Sequence, residues 1–488
     1  MTGNVWLVVP LGWLALGAFA LALVARLFRA GNALLAALTT GVCAVGLGLL
    51  LPPFAMAREA ALTGTSMPVW GGQVAGGIVL RATPGGLALS ALSLGLGLCT
   101  AWYSGRYMSR DPRYASYYPL LPLLLAALLG MVMATDLFNL YLFCELMSIA
   151  SYVLVAFRRH TDTAIEAGFK YLILGSVATL IMLLGIAAIY RETGSVALPL
   201  PDGTIAGPWL RLGQACFLVG LGLKSGIVPL HTWLPDAYGR APSSVAALLA
   251  SVVSKSTLYV LFRVTLGLGV PPESLGLLLL ILSFLNMTLG NALALLQRYT
   301  KRLLAYSSIA QTGYVMFAVG IGLRYGRPAA LRAGFFLLLS HAVLKGLAFL
   351  SKGACHYHRG VTLKRDLPGT AHQLPLAAIT FALSLIGLAG IPPLAGFVAK
   401  WWILTATLPP PDGWVTAGIV IFLLNSVLSL GYYLPLAVRP FIPLDEPGPR
   451  LRMSVWMGAP LLLLGALALA IGFQPGPWLA WAEWLTVF

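Results

Sequence analysis

Residues 220–238 read GLGLKSGIVPLHTWLPDAY. An ammonium (Lys224), a glycine and proline break (Gly226, Pro229), an imidazole (His231) and a carboxylate (Asp236) stand inside or beside an otherwise apolar run. Proline within a membrane helix frees backbone groups that lipid cannot satisfy, so such a break persists only where protein or trapped water supplies partners. Near the other end, residues 387–402 (GLAGIPPLAGFVAKWW) repeat the ingredients: Gly390, Pro392, Pro393 and Gly396 interrupt an apolar helix, with Lys400 beside the break. Two broken helices, each holding an ionisable group, predict an inverted repeat with ion sites near the midplane and a hydrated pocket at each break.

The rest of the chain supplies the membrane frame. Of its 488 residues, 59% are hydrophobic and 9% charged, and apolar runs of spanning length recur from end to end. About fourteen spans are expected, near 5–25, 33–57, 82–103, 117–134, 137–157, 165–190, 212–234, 243–268, 275–296, 303–323, 329–350, 374–406, 414–438 and 454–473. The first lacks a charged leader and a small-residue cleavage site, so it reads as a span rather than a removable signal. The longest polar stretches, Arg58–Arg81, Arg191–Arg211 and Lys352–Gln373, are loop-sized and too short to bury a core. The expected fold class is all-α, a polytopic membrane protein. The broken seventh and twelfth spans lie five apart, which fits two five-helix units, an odd number that turns one over relative to the other. This divides the chain into 1–116 (three N-terminal spans), 117–268 and 269–441 (the two units), and 442–488 (last span and tail).

A net charge of +16 would suggest nucleic acid in a soluble chain; here Lys and Arg punctuate apolar runs, so membrane topology explains them and no nucleic-acid partner is expected. One set of alternate loops carries the larger share (such as Arg26, Arg29, Arg106, Arg110, Arg158, Arg159, Arg298, Lys301, Arg302), the other the smaller (Arg58, Arg81, Arg191, Arg211, Arg263, Arg324, Arg327, Arg332). The positive-inside rule then places both termini outside the cytoplasm. The five cysteines are scattered and draw neither a disulfide frame nor a cluster-ligand set. Cys355, His356 and His358 are adjacent, but on a charged loop they read as solvated side chains rather than a metal site. Without a Gly-rich nucleotide loop or haem ligand pair, no cofactor and no redox chemistry within this chain are expected.

The informative residues are charges where lipid should be. Lys170, Lys224, Lys255, Lys345 and Lys400 fall inside apolar segments, with Glu145 and His341. A charged side chain at the bilayer centre costs at least ~2.5 to 3.5 kcal/mol, so these must face protein or water. Lys170 lies near the start of its span and is placed to snorkel as readily as to function. Lys255 lies too deep for that. Glu145 is similarly deep and needs a nearby cation to stay ionised, a lysine being the obvious one. His341 and Lys345, four apart, share one helical face, and each disfavours the other's proton.

The stretches DLFNLYLFCELMSIASY (136–152), KSGIVPLHTWLPDAYGRAPSSVAALLASVVSK (224–255), SIAQTGYVMFAVGIG (308–322), SHAVLKGLAFLSKGA (340–354) and LAGIPPLAGFVAKW (388–401) resemble the antiporter-like subunits shared by respiratory complex I, membrane-bound hydrogenases and Mrp-type sodium/proton antiporters. The resemblance runs in order from about Tyr117 to Val438. It implies fourteen helices, two inverted repeats and a proton path along a hydrated central axis. It further implies that Glu145, Lys224, Lys255, His341, Lys345 and Lys400 form the proton relay, with His231 and Lys170 as further candidates. Residues 165–195 look like the N-type subunit of complex I, and SHAVLKGLAFLSKG is closer to Mrp D-type and hydrogenase-associated members. Lysine rather than glutamate at 400 argues against the M-type, and the chain's ending at Phe488 without a long lateral helix argues against the L-type.

In the expected mechanism, a Glu145–Lys224 ion pair closes and opens, and the proton that Lys224 releases passes through Lys255 and His341 or Lys345 to Lys400. Expected partners are other membrane subunits, homologous antiporter-like ones among them, the lipid bilayer and protons, with sodium left open. The function expected is proton translocation in a redox-driven complex of a bacterial or archaeal plasma membrane, a proton-translocating oxidoreductase if it counts as an enzyme. The alternatives are a Mrp-type antiporter subunit, a proton-conducting subunit for inorganic carbon uptake, or a scaffold whose buried charges only specify packing.

Overall fold

A computed structural model describes residues 4–486 of the chain, apart from 64, 66, 72–77, 159, 160, 202, 411 and 447. Arg159, counted above among the topology-setting charges, lies outside the described residues. Helices α1 (Val9–Leu27), α2 (Asn32–Gly48), α3 (Leu51–Thr63) and α4 (Pro84–Tyr107) come first, α2 and α3 together making one crossing. A short hairpin, β1 (Val69–Trp70) with β2 (Leu80–Arg81), precedes α4. The first five-span unit comprises α5 (Tyr114–Met133), α6 (Leu137–Val155), α7 (Asp162–Thr193), the pair α8 (Pro208–Ser225) and α9 (Trp233–Arg240), and α10 (Ser243–Leu248) joined by a π turn to α11 (Ser254–Gly267). The second comprises α12 (Pro272–Leu296), α13 (Thr300–Arg324), α14 (Pro328–Arg359), then, after the single turn α15 (Thr370–Gln373), the pair α16 (Pro375–Ala389) and α17 (Ala395–Thr407), and α18 (Gly413–Val438). Helices α19 (Val455–Phe473) and α20 (Pro475–Trp484) follow.

Among the described residues, 12 helices are long and apolar enough to cross a membrane unbroken. The two spans missing from that set are the broken ones, α8/α9 and α16/α17. Each is the fourth member of its unit, and each is packed against the helix before and the helix after it. With five crossings per unit, the second unit enters the membrane in the opposite sense to the first.

Local sequence sets the ends of these helices. Asp136 and Asp412 cap α6 and α18 by accepting from the amides of Asn139 (2.7 Å) and Val415 (2.9 Å). At the breaks, Gly226 (φ +71°) and Gly390 (φ +86°) take the left-handed conformation that ends α8 and α16. Helices α12 and α13 come into backbone contact through small residues: a Cβ at Gly290 would lie 2.6 Å from the Ala310 nitrogen.

Burial is graded. Only 22% of the apolar window of α1 is enclosed, whereas the windows of α10–α11 and α14 are enclosed completely. The most protected helices are thus those that carry Lys255, His341 and Lys345. One expectation is corrected. Helix α14 runs on past 350 to Arg359, so Cys355, His356 and His358 lie on its last turns rather than on a charged loop; Cys355 is buried, and the His356 ring contacts the Val361 carbonyl (3.1 Å). A short helix, α20, follows the fourteenth span and packs back against α4 and α14.

Candidate functional site

Both breaks free carbonyls in the interior, and in both a side chain meets them. At the first, the Trp233 indole donates to the Leu223 carbonyl (2.8 Å) while its ring stacks on Tyr171 (4.2 Å between centroids), tying the break to α7. At the second, Gln311 of α13 donates to the Leu388 carbonyl (3.1 Å) and Lys400 to the Ala389 carbonyl (3.0 Å). The backbone cost of each break is offset by these bonds.

Lys224, in the last turn of α8, is buried, and its ammonium donates to the Ser148 hydroxyl on α6 (2.5 Å). Glu145 is one turn back on α6, half-buried, and accepts from the Thr179 hydroxyl of α7 (2.7 Å). The two charges feel each other but form no contact ion pair. The structure therefore shows the expected pair separated, with a hydroxyl standing in for each partner.

Lys255 is buried where the π turn Leu249–Val253 meets α11. A π turn shifts the backbone pairing from i+4 to i+5 and leaves a carbonyl available, and Lys255 donates to that of Ala250 (2.8 Å) and to the Ser254 hydroxyl (3.1 Å). On α14, His341 and Lys345 are buried on one face, close enough to Lys255 for the charges to interact. Lys345 donates to the Leu304 carbonyl (2.7 Å) and the Ser307 hydroxyl (2.5 Å) of α13, whereas the His341 Nε2 is buried without a hydrogen-bond partner among the described residues. Lys400 lies 5.0 Å from the centre of the Tyr314 ring. The Tyr314 hydroxyl faces Asn291 (3.4 Å), which joins Asn425 (3.0 Å) and Tyr432 (2.8 Å) in a buried amide–phenol cluster across α12, α13 and α18.

Lys224, His231, Lys255, His341, Lys345 and Lys400, six of the eight candidates, thus occupy the two breaks and the helices between them, and Glu145 stands on α6 beside the first. His231 is half-buried in the first break, its Nδ1 without a partner among the described residues. Lys170 stands apart, exposed and paired with Glu166 (2.6 Å) and Asp236 (3.4 Å), where Arg302 also reaches Asp236 (3.3 Å). A search for formal charges passed over the neutral partners Ser148, Thr179, Ser254, Ser307, Tyr314, Asn291 and Asn425. For the two asparagines a signal existed, since an amide inside a span is itself costly; for the hydroxyls, which bond back to their own helix elsewhere in the chain, there was none. Lys352, buried on α14 with its ammonium on the Val361 carbonyl (2.5 Å), was missed because its segment looked like a loop.

Comparison with known proteins follows the same lines. Residues 134–429 match the family described as "NADH:quinone oxidoreductase/Mrp antiporter, TM". The NADH-quinone oxidoreductase subunit N of Desulforudis audaxviator is 33% identical over 429 residues, covering 83% of this chain and 82% of that protein. Among solved structures, a chain of the membrane-bound sulfane sulfur reductase, an archaeal respiratory membrane complex, superposes with a TM-score of 0.85 at 25% identity, covering 98% of this chain and 96% of that one. A chain of the Mrp complex from Dietzia sp. superposes at 0.86 with 23% identity over 99% and 97% of the two chains, a likeness of fold.

Proposed function

Because this chain belongs to the NADH:quinone oxidoreductase/Mrp antiporter family of membrane subunits, we propose that it is a proton-translocating subunit of a multisubunit, redox-driven membrane complex. Other membrane subunits are its partners, homologous antiporter-like ones among them. The observation that carries this reading is the set of ionisable groups at the two breaks (Lys224, Lys400), on α6 beside the first (Glu145) and on the most enclosed helices between them (Lys255, His341, Lys345), each ammonium bonded to a hydroxyl or carbonyl rather than to an acid. Such bonds hold an ammonium by part of its donor capacity and do not lock its proton as a contact ion pair would.

The relay works by changing neighbours. When Glu145 closes on Lys224, displacing Ser148, the ammonium is stabilised; when they part, the desolvated lysine gives its proton up toward Lys255. Lys255 passes it to His341 or Lys345, and Lys345 to Lys400, across water that must bridge gaps longer than a hydrogen bond. Each charge moved against the membrane potential costs ~2.3 kcal/mol per 100 mV, so the drive comes from a redox module in partner subunits. The division into 1–116, 117–268, 269–441 and 442–488, the cytoplasmic placement of the Arg106–Arg158–Lys301 face, and both termini on the opposite side belong to the same proposal.

A Mrp-type antiporter subunit is the second reading. Sequence supports the first: the oxidoreductase relative is 33% identical over 83% of this chain, whereas the likeness to the Mrp chain is one of fold. The deciding experiment is Lys255→Ala in the assembled complex reconstituted in liposomes. Electron transfer with the loss of proton uptake supports the relay. Unchanged proton movement sinks it, and failed assembly with both activities absent favours a packing role.

A further inference from the structure

At the membrane face where α6, α9 and α14 end and α7 and α13 begin, a cavity of about 270 Å³ is lined by Arg158, Arg240, Lys301, Arg302, Lys352 and His356. Five basic side chains converge here: Asp111 lies 3.7 Å from Arg158, Asp236 lies 3.3 Å from Arg302 while also serving Lys170, and Glu166 and Asp366 stand within electrostatic reach of Arg240 and Lys352. Lys301, Arg240 and Lys352 have no acid in contact among the described residues. Lys301 is repelled by Lys352, Arg158 and Arg240, and His356 by Lys352, Lys301 and Arg158. So many basic groups in one partly enclosed space favour a further counter-charge beyond these acids of the described residues.

Helix geometry accounts for part of it. Lys301 donates to the Ala241 carbonyl at the end of α9 (2.6 Å), and Lys352 to Val361 just past α14 (2.5 Å), so each offsets a negative helix end. An ammonium has three donors, however, and each of these bonds uses one. The starts of α7 and α13 add positive dipole ends at the rim, through Thr161, Thr163 and Tyr299. The Arg302 Nε is buried without a hydrogen-bond partner among the described residues. Hydronium and sodium are disfavoured in such a potential, so this is no mouth for the transported ion. An anion rich in acceptors fits it.

We propose that the cavity binds a phosphate group, that of the headgroup of an anionic membrane lipid. The surroundings decide for the lipid: beside the cavity, Ile165 (45% exposed) and Phe169 (60%) on α7 and Leu296 (75%) at the end of α12 present apolar surface where acyl chains would continue from a headgroup held among the helix ends. The site is separate from the proposed relay and stands or falls without it.

The test uses the full chain purified into phosphatidylcholine nanodiscs, with bound phosphatidylglycerol counted by native mass spectrometry. Wild type retains phosphatidylglycerol above its bulk fraction. Arg240→Gln, whose guanidinium faces the Tyr299 ring (5.6 Å) and stands within electrostatic reach of Glu166, weakens retention about fivefold, and a second charge removed in Arg240→Gln/Lys301→Gln about fivefold again. Equal retention by wild type and the single variant overturns the site, and that variant removes no internal hydrogen bond, so it keeps the test readable if the double variant fails to fold. Displacement of phosphatidylglycerol by an equal concentration of inorganic phosphate keeps a phosphate site and overturns its lipid source.

Discussion

The two broken spans solve one backbone problem with different chemistry. In the first, the lysine precedes the glycine on the helix that ends, a hydroxyl of a neighbouring helix holds it, and a half-buried carboxylate stands within electrostatic reach. In the second, the lysine follows the break on α17 and reaches back to the carbonyl end of α16 and over a tyrosine ring, with no acid near it among the described residues. A carboxylate held by one threonine hydroxyl can approach or retreat; a helix end and an aromatic face are fixed. In the proposed relay the first break is therefore the adjustable one, where a conformational change elsewhere in a complex would have a charge to move, and the second would offer a constant environment to an arriving proton.

That contrast is open to attack. The largest effect is expected from removing the lysines: Lys224→Ala and Lys400→Ala in the assembled complex each lower proton translocation about a hundredfold, the scale for losing a positioned proton carrier, with subunit content on native gels unchanged. Glu145→Gln comes next. It retains an acceptor for Thr179 but removes the movable charge, so proton movement falls about tenfold; the neutral Gln311→Leu, which strips the second break of a donor, leaves translocation within about twofold. Equal losses from the two would mean that the breaks are equivalent. For stability the two differ: Gln311→Leu orphans the Leu388 carbonyl and costs about 1–3 kcal/mol, whereas Trp233→Phe leaves the Leu223 carbonyl the Gly226 amide (3.1 Å) and costs about 0.5–1.5 kcal/mol, each read as a lower midpoint in detergent melts.

The smallest effect concerns the cap of the helix that follows the second break. Hydrogen bonds from Tyr325 (2.6 Å) and the Val415 amide hold the Asp412 carboxyl below the usual carboxylate range. With its folded value depressed, the stabilisation is present above the unfolded value near ~3.9 and fades as pH falls through the folded one. Asp412→Asn keeps an acceptor for the amide and loses that acid sensitivity, while Asp412→Ala loses the cap as well, about 1 kcal/mol at neutral pH. Melting curves at neutral and acidic pH separate the two.

Much of this was legible in the chain itself, for physical reasons that differ by residue. Span number and the two breaks follow from hydropathy and from proline, because lipid leaves helices no alternative. Lys224, Lys255, His341, Lys345 and Lys400 announced themselves through the cost of charge in apolar runs. What eluded reading were relations across helices. Nothing near Glu145 tells that Thr179, far along the chain, would answer it, or that Ser148 would hold Lys224 in its place. Lys352 was hidden by the polar neighbours that make its helix end look like a loop. The excess of Lys and Arg on one set of loops was visible, but not their convergence around one cavity.

One local irregularity carries a practical corollary. The wide turn at Leu249–Val253 adds a residue to the winding of the eighth span, so the angular phase of α11 lags that of α10 by about 100° relative to an unbroken 3.6-residue count. Because this span is enclosed on all sides, cysteine cross-linking from residues 243–267 to the surrounding helices should accordingly yield two periodic sets of partners that fail to superpose on a single wheel. Deleting one residue within the turn would merge them and swing the amine at 255 away from its neighbours on α14.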